Sequence, residues 1–563
     1  MKDNIKNIIL DAFKNLQEKG VFSLFKIPDF EIEHPEDFSF GDYSANIAMK
    51  SSKISNDNPR SIAEKIKKEI LEIDKGEKFK QIEVAGSGFL NFYLKSEFFS
   101  DSLNNIIKSG NDWGRGNILS GQRYLIEHSS PNLFKPFHIG HLVNNIVGES
   151  ISRILAFAGA SVTVVVFPSD VSPGIAKAVW GIINKGWQDS ITIEKIGQAY
   201  VYGVERYEND DEVKKEVDKI NNIIYNKFPC NVFNIYIKGR DISIDYFKSI
   251  MIHLDSKFDD IIFESEAEEV GKKIVRENTP AIFEESNGAI IFKGSKYGLF
   301  DNVFINSAGF ATYLGKDIGL LKIKSQRFSF DKSLTITDIE QKQHFELVKK
   351  ASELIDDGKE NKSYYLQHGR LRFASGKASS RVGNVPLVSD LLGSIKEYIV
   401  NRFVDIDKNG PMAEQIALGA LKYSIARVSA GSNIVFDFNK SVAVEGDTGP
   451  YLQYTHTRCT SLLFKAPKAT IDYKVMSDYG ITRIDRLLYR FPEVVLRSAE
   501  NYDQHYVAIY LFSLASEFNS WYAKEKILDG GDNQSHKLAI VKAVKITIKN
   551  GLNLLGIEAP ERM

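Results

Sequence analysis

The sequence predicts an α/β protein in three parts: a small N-terminal α/β domain over residues 1–105, a parallel-sheet domain over 106–395, and an all-helical C-terminal bundle over 396–563. Two observations indicate this organisation. The β-branched run 161–167 (SVTVVVF) is typical of a parallel strand that is buried on both faces. From about residue 395 onward, apolar residues recur at three- to four-residue spacing, which is typical of a helix bundle.

Composition restricts the class of protein. The 563 residues are 43% hydrophobic and 26% charged with a net charge of −1, so any surface that binds nucleic acid must be local. Cys230 and Cys459 lie far apart without a CxxC motif, which argues against a structural zinc site and a disulfide scaffold. The first residues predict an amphipathic helix, and no apolar run reaches membrane-spanning length. We therefore expect a cytoplasmic protein without a membrane partner.

The N-terminal part predicts a mixed module. Apolar residues at positions 5, 8, 9, 12, 13 and 16 follow helical spacing, and the turn 40–46 (FGDYSAN) precedes a second helix. A third helix is predicted over 61–73, and residues 81–94 predict strand, glycine turn and strand.

The central part is organised around residues 127–142 (EHSSPNLFKPFHIGHL), which connect a short apolar run to a helical pattern over 144–157. Gly140 allows close approach of a ligand, and His138 and His141 share one helix face. Imidazole N–H groups beside a helix N-terminus can stabilise negative charge on a phosphate. The alternative is two exposed histidines at an ordinary helix start.

Further polar residues follow the predicted strands. Asp170 comes directly after the strand 161–167, where it is either a site carboxylate or a turn residue. An insertion is expected at about 175–300, with helices at 210–225 and 243–256 and strands at 259–264 and 289–293. Tyr313 and Asp317 stand at i and i+4 of a predicted helix. A strand at 333–339 then precedes Gln341 and His344.

The Gly/Ser-rich stretch 371–384 carries Lys377 and Arg381 among hydroxyl groups. Such a loop can bring cations to a triphosphate and release them afterwards, although a surface loop is the alternative. Helices are predicted at 413–430, 440–466, 482–499, 501–523 and 535–555. Their aromatic and basic residues can stack on unstacked RNA or form core, and they include Tyr451, Tyr454, His456 and Arg458.

Taken in order, these motifs resemble the class I aminoacyl-tRNA synthetases, and more narrowly the arginyl-tRNA synthetases. The resemblance runs nearly end to end through AGSGFLNFYL, EHSSPNLFKPFHIGHL, ATYLGKDIG, SGKASSRVGN, EGDTGPYLQYTHTR and NGLNLLGIEAPERM. It implies a Rossmann-type catalytic domain that joins L-arginine to tRNA(Arg) with ATP, with Mg²⁺ on the ATP phosphates. It also implies an N-terminal domain that contacts the tRNA elbow, an anticodon-binding C-terminal domain, and a monomer.

The resemblance also implies residue roles. The ATP site comprises His138, Gly140, His141, Lys377, Ser379, Ser380 and Arg381. The arginine site comprises Glu127, Ser129, Asn132, His141, Asp170, Tyr313, Asp317 and Gln341. The tRNA contacts are Asn46, Tyr451, Tyr454, Arg458 and Met563; no metal ligand is implied. Carboxylates suit a guanidinium because it offers planar, bidentate contact that an ammonium cannot copy.

The chain departs from the family pattern at two points. The loop usually written KMSKS reads KASSR, so the second lysine is replaced by Ser380, and Arg381 or Lys135 has to take its role. Around Asp170 the usual glycines are Ser169 and Ser172, and one polar contact to the substrate is missing. Two rival hypotheses are a tRNA-independent adenylyl-transferring relative and a non-catalytic tRNA-binding paralogue. The N- and C-terminal parts argue against the first, and the retained motif residues argue against the second.

Overall fold

The computed structural model describes residues 1–356, 362–374, 387–402, 410–466 and 480–563, which form two compact units. Unit 1 comprises Met1–Trp113, Ser461–Phe491 and Ser516–Thr547. Unit 2 comprises Gly114–Thr460, Pro492–Ala515 and Ile548–Met563. The C-terminal helices are thus divided between the two units, which the three-part prediction did not include. Over the described residues, no helix has the length and apolarity needed to cross a membrane.

The N-terminal part of unit 1 is a four-stranded antiparallel sheet, in the order β1-β2-β4-β3, packed with helices. Its elements are α1 (Lys2–Glu18), β1 (Ile32–Glu33), β2 (Tyr43–Ala45), α2 (Ile47–Ser55), α3 (Pro59–Asp74), β3 (Phe79–Ala85), β4 (Phe89–Leu94) and α4 (Ser96–Ser109). The predicted apolar face of α1 is buried, and α3 and the β3–β4 pair occur where predicted. Tyr489, far along the chain, packs into the same core.

The centre of unit 2 is a five-stranded, all-parallel sheet in the order β12-β11-β5-β6-β7, which confirms the predicted Rossmann-type architecture. Its first elements are β5 (Arg123–Glu127), α5 (Ile139–Phe157), β6 (Ser161–Val166), α6 (Pro173–Asn184), α7 (Ile193–Asn209), α8 (Asp211–Tyr225), α9 (Asn231–His253), β7 (Asp260–Ile261) and α10 (Glu264–Glu277). They continue with β8 (Phe283–Ser286), β9 (Ala289–Phe292), β10 (Asn302–Ile305), α11 (Tyr313–Arg327), β11 (Lys332–Asp338), α12 (Lys342–Ile355), β12 (Ser363–His368) and β13 (Leu371–Phe373).

The predicted insertion at about 175–300 is not one continuous block. The strand β7 lies inside it and pairs in parallel with β6, so this segment belongs to the edge of the main sheet. Helices precede β7, whereas α10 and the antiparallel sheet β10-β9-β8 follow it. A two-residue strand is too short to show a hydrophobic period, which is why the sequence pattern missed its place in the sheet. The expected strand 259–264 is accordingly too long.

In its described residues the C-terminal part is helical, as predicted, apart from one short strand. Its elements are α13 (Val388–Arg402), α14 (Pro411–Ala426), β14 (Ile434–Phe436), α15 (Phe438–Ser441), α16 (Gly449–Lys465), α17 (Arg483–Leu488), α18 (Phe491–Asn501), α19 (His505–Lys524) and α20 (Gln534–Leu554). The predicted helix 440–466 begins later, at Gly449, because Gly446 has a φ of +79° that interrupts a helix. The predicted helix 482–499 is split, with Pro492 in the first turn of α18.

Candidate active site

The His-x-Gly-His segment forms the cap of α5. His138 is the N-cap residue, and its Nδ1 accepts a hydrogen bond from the Gly140 N–H at 3.2 Å. His141 Nδ1 accepts one from the His138 N–H at 3.5 Å. The two rings are stacked, with centroids 3.7 Å apart. A Cβ on Gly140 would lie 3.1 Å from the His138 ring, so glycine permits this compact arrangement.

The surroundings of both histidines favour the neutral imidazole. Burial, and then the charge of Lys135, lower the pKa of His138 below its usual value. Burial, followed by His138 and Lys135, holds the pKa of His141 well below its usual value. A neutral imidazole that accepts through Nδ1 carries its hydrogen on Nε2. The cap therefore leaves each ring with one N–H that can be donated to an anion.

Lys135 lies three residues before this cap, and its Nζ is 4.4 Å from the centre of the Tyr200 ring on α7. His138 also pairs with Leu387 in a β-bridge, and the Val388 N–H donates to the Phe137 carbonyl at 3.3 Å. The predicted loop residues Lys377, Ser379, Ser380 and Arg381 lie outside the described residues. The chain that follows them is therefore adjacent to the histidine pair.

Glu127, the last residue of β5, is buried in an ion pair. Its Oε2 contacts Nζ of Lys324 on α11 and accepts a hydrogen bond from the Thr335 hydroxyl of β11 at 3.3 Å. The Lys324 side chain is only 1% exposed, so each charge depends on the other for compensation. Sequence reasoning missed Lys324, although its position seven residues after Asp317 places both on one helix face.

Ser129 is held by the side chains of two residues of α5. Its φ is +61°, and its N–H donates to the Asn144 side chain at 2.6 Å, while its hydroxyl accepts from Asn145 at 2.8 Å. The neighbouring His128 is fully buried, and burial lowers its pKa to about 4. A Cβ on Gly148 would lie 2.4 Å from the His128 side chain, so only glycine fits there.

Asp170 is completely buried after β6. Its carboxylate accepts hydrogen bonds from the Ser265 N–H at 2.8 Å, the Ser265 hydroxyl at 2.7 Å and the Tyr236 hydroxyl at 3.2 Å. Its charge lies at the first turn of α10, where the helix dipole favours an anion. These three bonds engage both carboxylate oxygens. The contact of Asp170 with arginine stays a prediction.

The loops after β5 and β6 are joined at Asn132. This residue pairs with Ser169 in a parallel bridge, flanked by hydrogen bonds from Leu133 N–H to Ser169 O at 3.0 Å and from Ser169 N–H to Pro131 O at 2.9 Å. Ser169, where the family pattern has glycine, therefore serves as a backbone anchor. Asn132 is held at the carboxyl end of the sheet.

Tyr313 and Asp317 lie one turn apart in α11, as predicted. Tyr313 is the first residue of the helix and is 59% exposed. Asp317 Oδ2 is paired with Nε2 of His344 on α12, a partner that the sequence reasoning did not assign. Gln341 is exposed at the end of a short 3₁₀ turn, Ile339–Gln341, which follows β11. The three predicted side chains thus come from the carboxyl end of β11 and the start of α11.

Comparisons with known proteins identify this arrangement. The family described as "tRNA synthetases class I (R), catalytic domain" matches residues 102–438, which is more than half of the chain. The chain belongs to this family of class I tRNA synthetases. Two further family models match its ends: the "Arginyl tRNA synthetase N terminal domain" over 3–94 and the "DALR anticodon binding domain" over 452–563.

Individual relatives of this family agree along the whole length. An arginine–tRNA ligase of Fusobacterium nucleatum is 28% identical, covering 97% of this chain and 98% of that one. An arginine–tRNA ligase of Halothermothrix orenii is 27% identical, covering 100% of this chain and 99% of that one. The solved arginyl-tRNA synthetase of Thermus thermophilus has a TM-score of 0.80 at 23% identity, with complete coverage of both chains. That of Plasmodium falciparum has a TM-score of 0.79 at 18% identity, over 100% and 99% of the chains, and both share the fold.

The residues that the family resemblance assigned to tRNA lie in both units. Asn46 caps α2 and exchanges hydrogen bonds with Glu31, its Oδ1 accepting from the backbone N–H and its Nδ2 donating to the carboxylate, both at 3.0 Å. Tyr451 packs on Phe512 and donates to Ala515 O at 3.4 Å, whereas Arg458 stacks on the exposed Tyr454 ring. Met563 is the last residue and is partly exposed.

For His456 the structure decides between the two alternatives that the sequence left open, RNA stacking and core. It belongs to the core, because it is fully buried and its Nδ1 lies 2.9 Å from the Pro560 carbonyl. Its helical spacing placed it on the inner face of α16, where an imidazole finds a backbone partner.

Proposed function

We propose that the chain is an arginine–tRNA ligase that activates L-arginine with ATP and transfers it to the 3′-terminal ribose of tRNA(Arg). The observation that carries this proposal is the stacked histidine pair at the N-terminus of α5, which follows the strand β5 that ends in Glu127. We further propose that the protein acts in the cytoplasm as a monomer.

ATP would bind at the histidine cap. The Nε2–H groups of His138 and His141 can donate to the phosphate oxygens, and the N-terminus of α5 favours the same charge. Gly140 is exposed beside them and allows close approach of the nucleotide. Lys135 would supply the positive charge that the altered KASSR loop lacks. The loop residues Lys377, Ser379, Ser380 and Arg381 would bind the triphosphate beside it. These donors are aimed at charge that grows as the α-phosphate is attacked.

Arginine would bind at the carboxyl ends of β5 and β11. Asp317, paired with His344, and Glu127, paired with Lys324, are the carboxylates that would also contact the guanidinium, with Tyr313 and Gln341 along its path. Ser129, Asn132 and His141 would position the α-amino acid end near ATP. Asp170 would hold the neighbouring loop through Ser265 and Tyr236. A lysine ammonium cannot satisfy planar carboxylate contacts, so it would be rejected without editing.

The reaction then has two steps. The arginine carboxylate attacks the α-phosphorus in line and releases pyrophosphate. The ribose hydroxyl of tRNA next attacks the adenylate carbonyl and releases AMP. Mg²⁺ would enter with ATP, bound to its phosphates. Among the described residues, no group of three or more His, Cys, Asp or Glu side chains is placed to hold a metal ion. Asn46, Tyr451, Tyr454, Arg458 and Met563 are the proposed tRNA contacts.

The proposal is tested by the exchange of radiolabelled pyrophosphate into ATP. The expected result is exchange that requires L-arginine and tRNA(Arg) together, and that is lost in His138→Ala because the phosphate donor is gone. Tyr313→Ala should instead raise the KM for arginine. Exchange that proceeds with no amino acid preference, or none at all while a control ligase is active, would exclude arginine activation.

A further inference from the structure

Three neighbouring strands of unit 2 place a row of side chains on one face of the sheet. Glu127 of β5 is aligned with Thr335 of β11, and Thr335 is aligned with Tyr365 of β12. Aligned residues on adjacent strands point to the same side. The Thr335 hydroxyl donates to Glu127 at 3.3 Å, which confirms the shared face for the first pair. Tyr365 therefore extends the row that begins with a proposed arginine-binding carboxylate.

The same tyrosine belongs to a chain of aromatic contacts that leads to Asp317. Its ring is stacked on Phe345 with centroids 4.4 Å apart. Phe345 meets the His344 ring edge to face at 4.9 Å, and His344 is paired with Asp317. Tyr365 is thus connected to both proposed guanidinium-binding carboxylates, to Glu127 through the sheet and to Asp317 through α12.

The Tyr365 hydroxyl is buried, and over the described part of the chain it has no hydrogen-bond partner. A buried hydroxyl without a partner costs free energy relative to phenylalanine at the same position, so its presence calls for an explanation. Burial, followed by the charges of Asp317 and Glu127, raises the pKa of Tyr365, so the group keeps its proton. A protonated phenol can donate toward a carboxylate and still accept from a cation.

We propose that Tyr365 is a specificity-determining residue whose hydroxyl accepts a hydrogen bond from the guanidinium of bound arginine, between Glu127 and Asp317. This inference rests on the proposed function, because arginine supplies the missing partner. A guanidinium has five N–H donors, so two carboxylates leave room for a neutral acceptor between them. The hydroxyl would thereby fix how far the guanidinium of bound arginine has to reach into the site.

The test is Tyr365→Phe, which keeps the ring stacked on Phe345 and removes one oxygen. We expect the KM for arginine in tRNA charging to rise roughly tenfold or more, since a hydrogen bond to a charged group is lost. The KM for ATP should change by less than about twofold, because the histidine cap is untouched. The midpoint of thermal unfolding without arginine should be unchanged or higher, because an unsatisfied buried group has been removed.

The matched control is Tyr364→Phe on the adjacent, partly exposed position of the same strand, whose side chain points to the other face. It should leave both KM values unchanged. An unchanged KM for arginine in Tyr365→Phe would overturn the inference. A fall in stability accompanied by an equal rise of the KM values for arginine and ATP would also overturn it. If the wild-type chain charged no arginine, the proposed function would fail first, and the two failures are therefore distinguishable.

Discussion

The buried pair of Lys324 and Glu127 yields the sharpest prediction on stability. The Lys324 side chain is 1% exposed and that of Glu127 is 8% exposed, so neither charge can be hydrated when its partner is removed. Lys324→Met keeps most of the side-chain volume but leaves the carboxylate without compensation. We expect the free energy of unfolding to fall by about 3–5 kcal/mol, the usual cost of breaking a buried pair. Urea unfolding measures this from the transition midpoint at constant slope.

A second variant separates charge from volume. Lys324→Met combined with Glu127→Gln contains no uncompensated charge, so most of the lost stability should return. Arginine activation should stay low, because Glu127 is proposed to contact the substrate. The control is Lys296→Met, which breaks an exposed pair with Glu284 at 2.6 Å and should leave the midpoint unchanged. A Lys324→Met midpoint equal to that of wild type would refute the argument that this pair is desolvated.

Three further perturbations have defined outcomes. Gly148→Ala places a Cβ 2.4 Å from His128 and should lower the stability by roughly 1–3 kcal/mol in urea unfolding. The pKa of His128 is about 4 in the folded chain, whereas that of an unperturbed histidine is 6.5. As the pH falls, the unfolded chain therefore takes up the proton before the folded chain does. The unfolding free energy should therefore fall by about 3 kcal/mol from pH 6.5 to pH 4, and His128→Asn should remove this component. Lys135→Ala should slow adenylate formation at least ~10²-fold in single-turnover assays, whereas a near-normal rate would assign the charge to Arg381.

Sequence patterns predicted the structure correctly where a long hydrophobic period or an ordered set of motifs was present. The run 161–167 predicted β6, which lies inside the parallel sheet, and the His-x-Gly-His spacing predicted two rings on one face that are stacked in the structure. Tyr313 and Asp317 follow the predicted helical spacing in α11.

Contacts between distant segments could not be predicted in this way. The pairs of Glu127 with Lys324 and of Asp317 with His344 join different elements, and no local period indicates which charges meet. The burial of Asp170 depends on Ser265, 95 residues later in the chain. The strand β7 was too short to carry a signal, and Gly446 interrupted a helix that apolar spacing alone would extend.

The central claim is tested most directly by charging of tRNA(Arg) with radiolabelled amino acid by the purified chain. The account predicts that L-arginine is esterified to the tRNA in an ATP-dependent reaction and that L-lysine is not, because Asp317 and Glu127 require a planar cation. Equal charging with lysine would contradict the proposed reading of the guanidinium. No charging with arginine, under conditions in which a control ligase charges the same tRNA, would contradict the function itself.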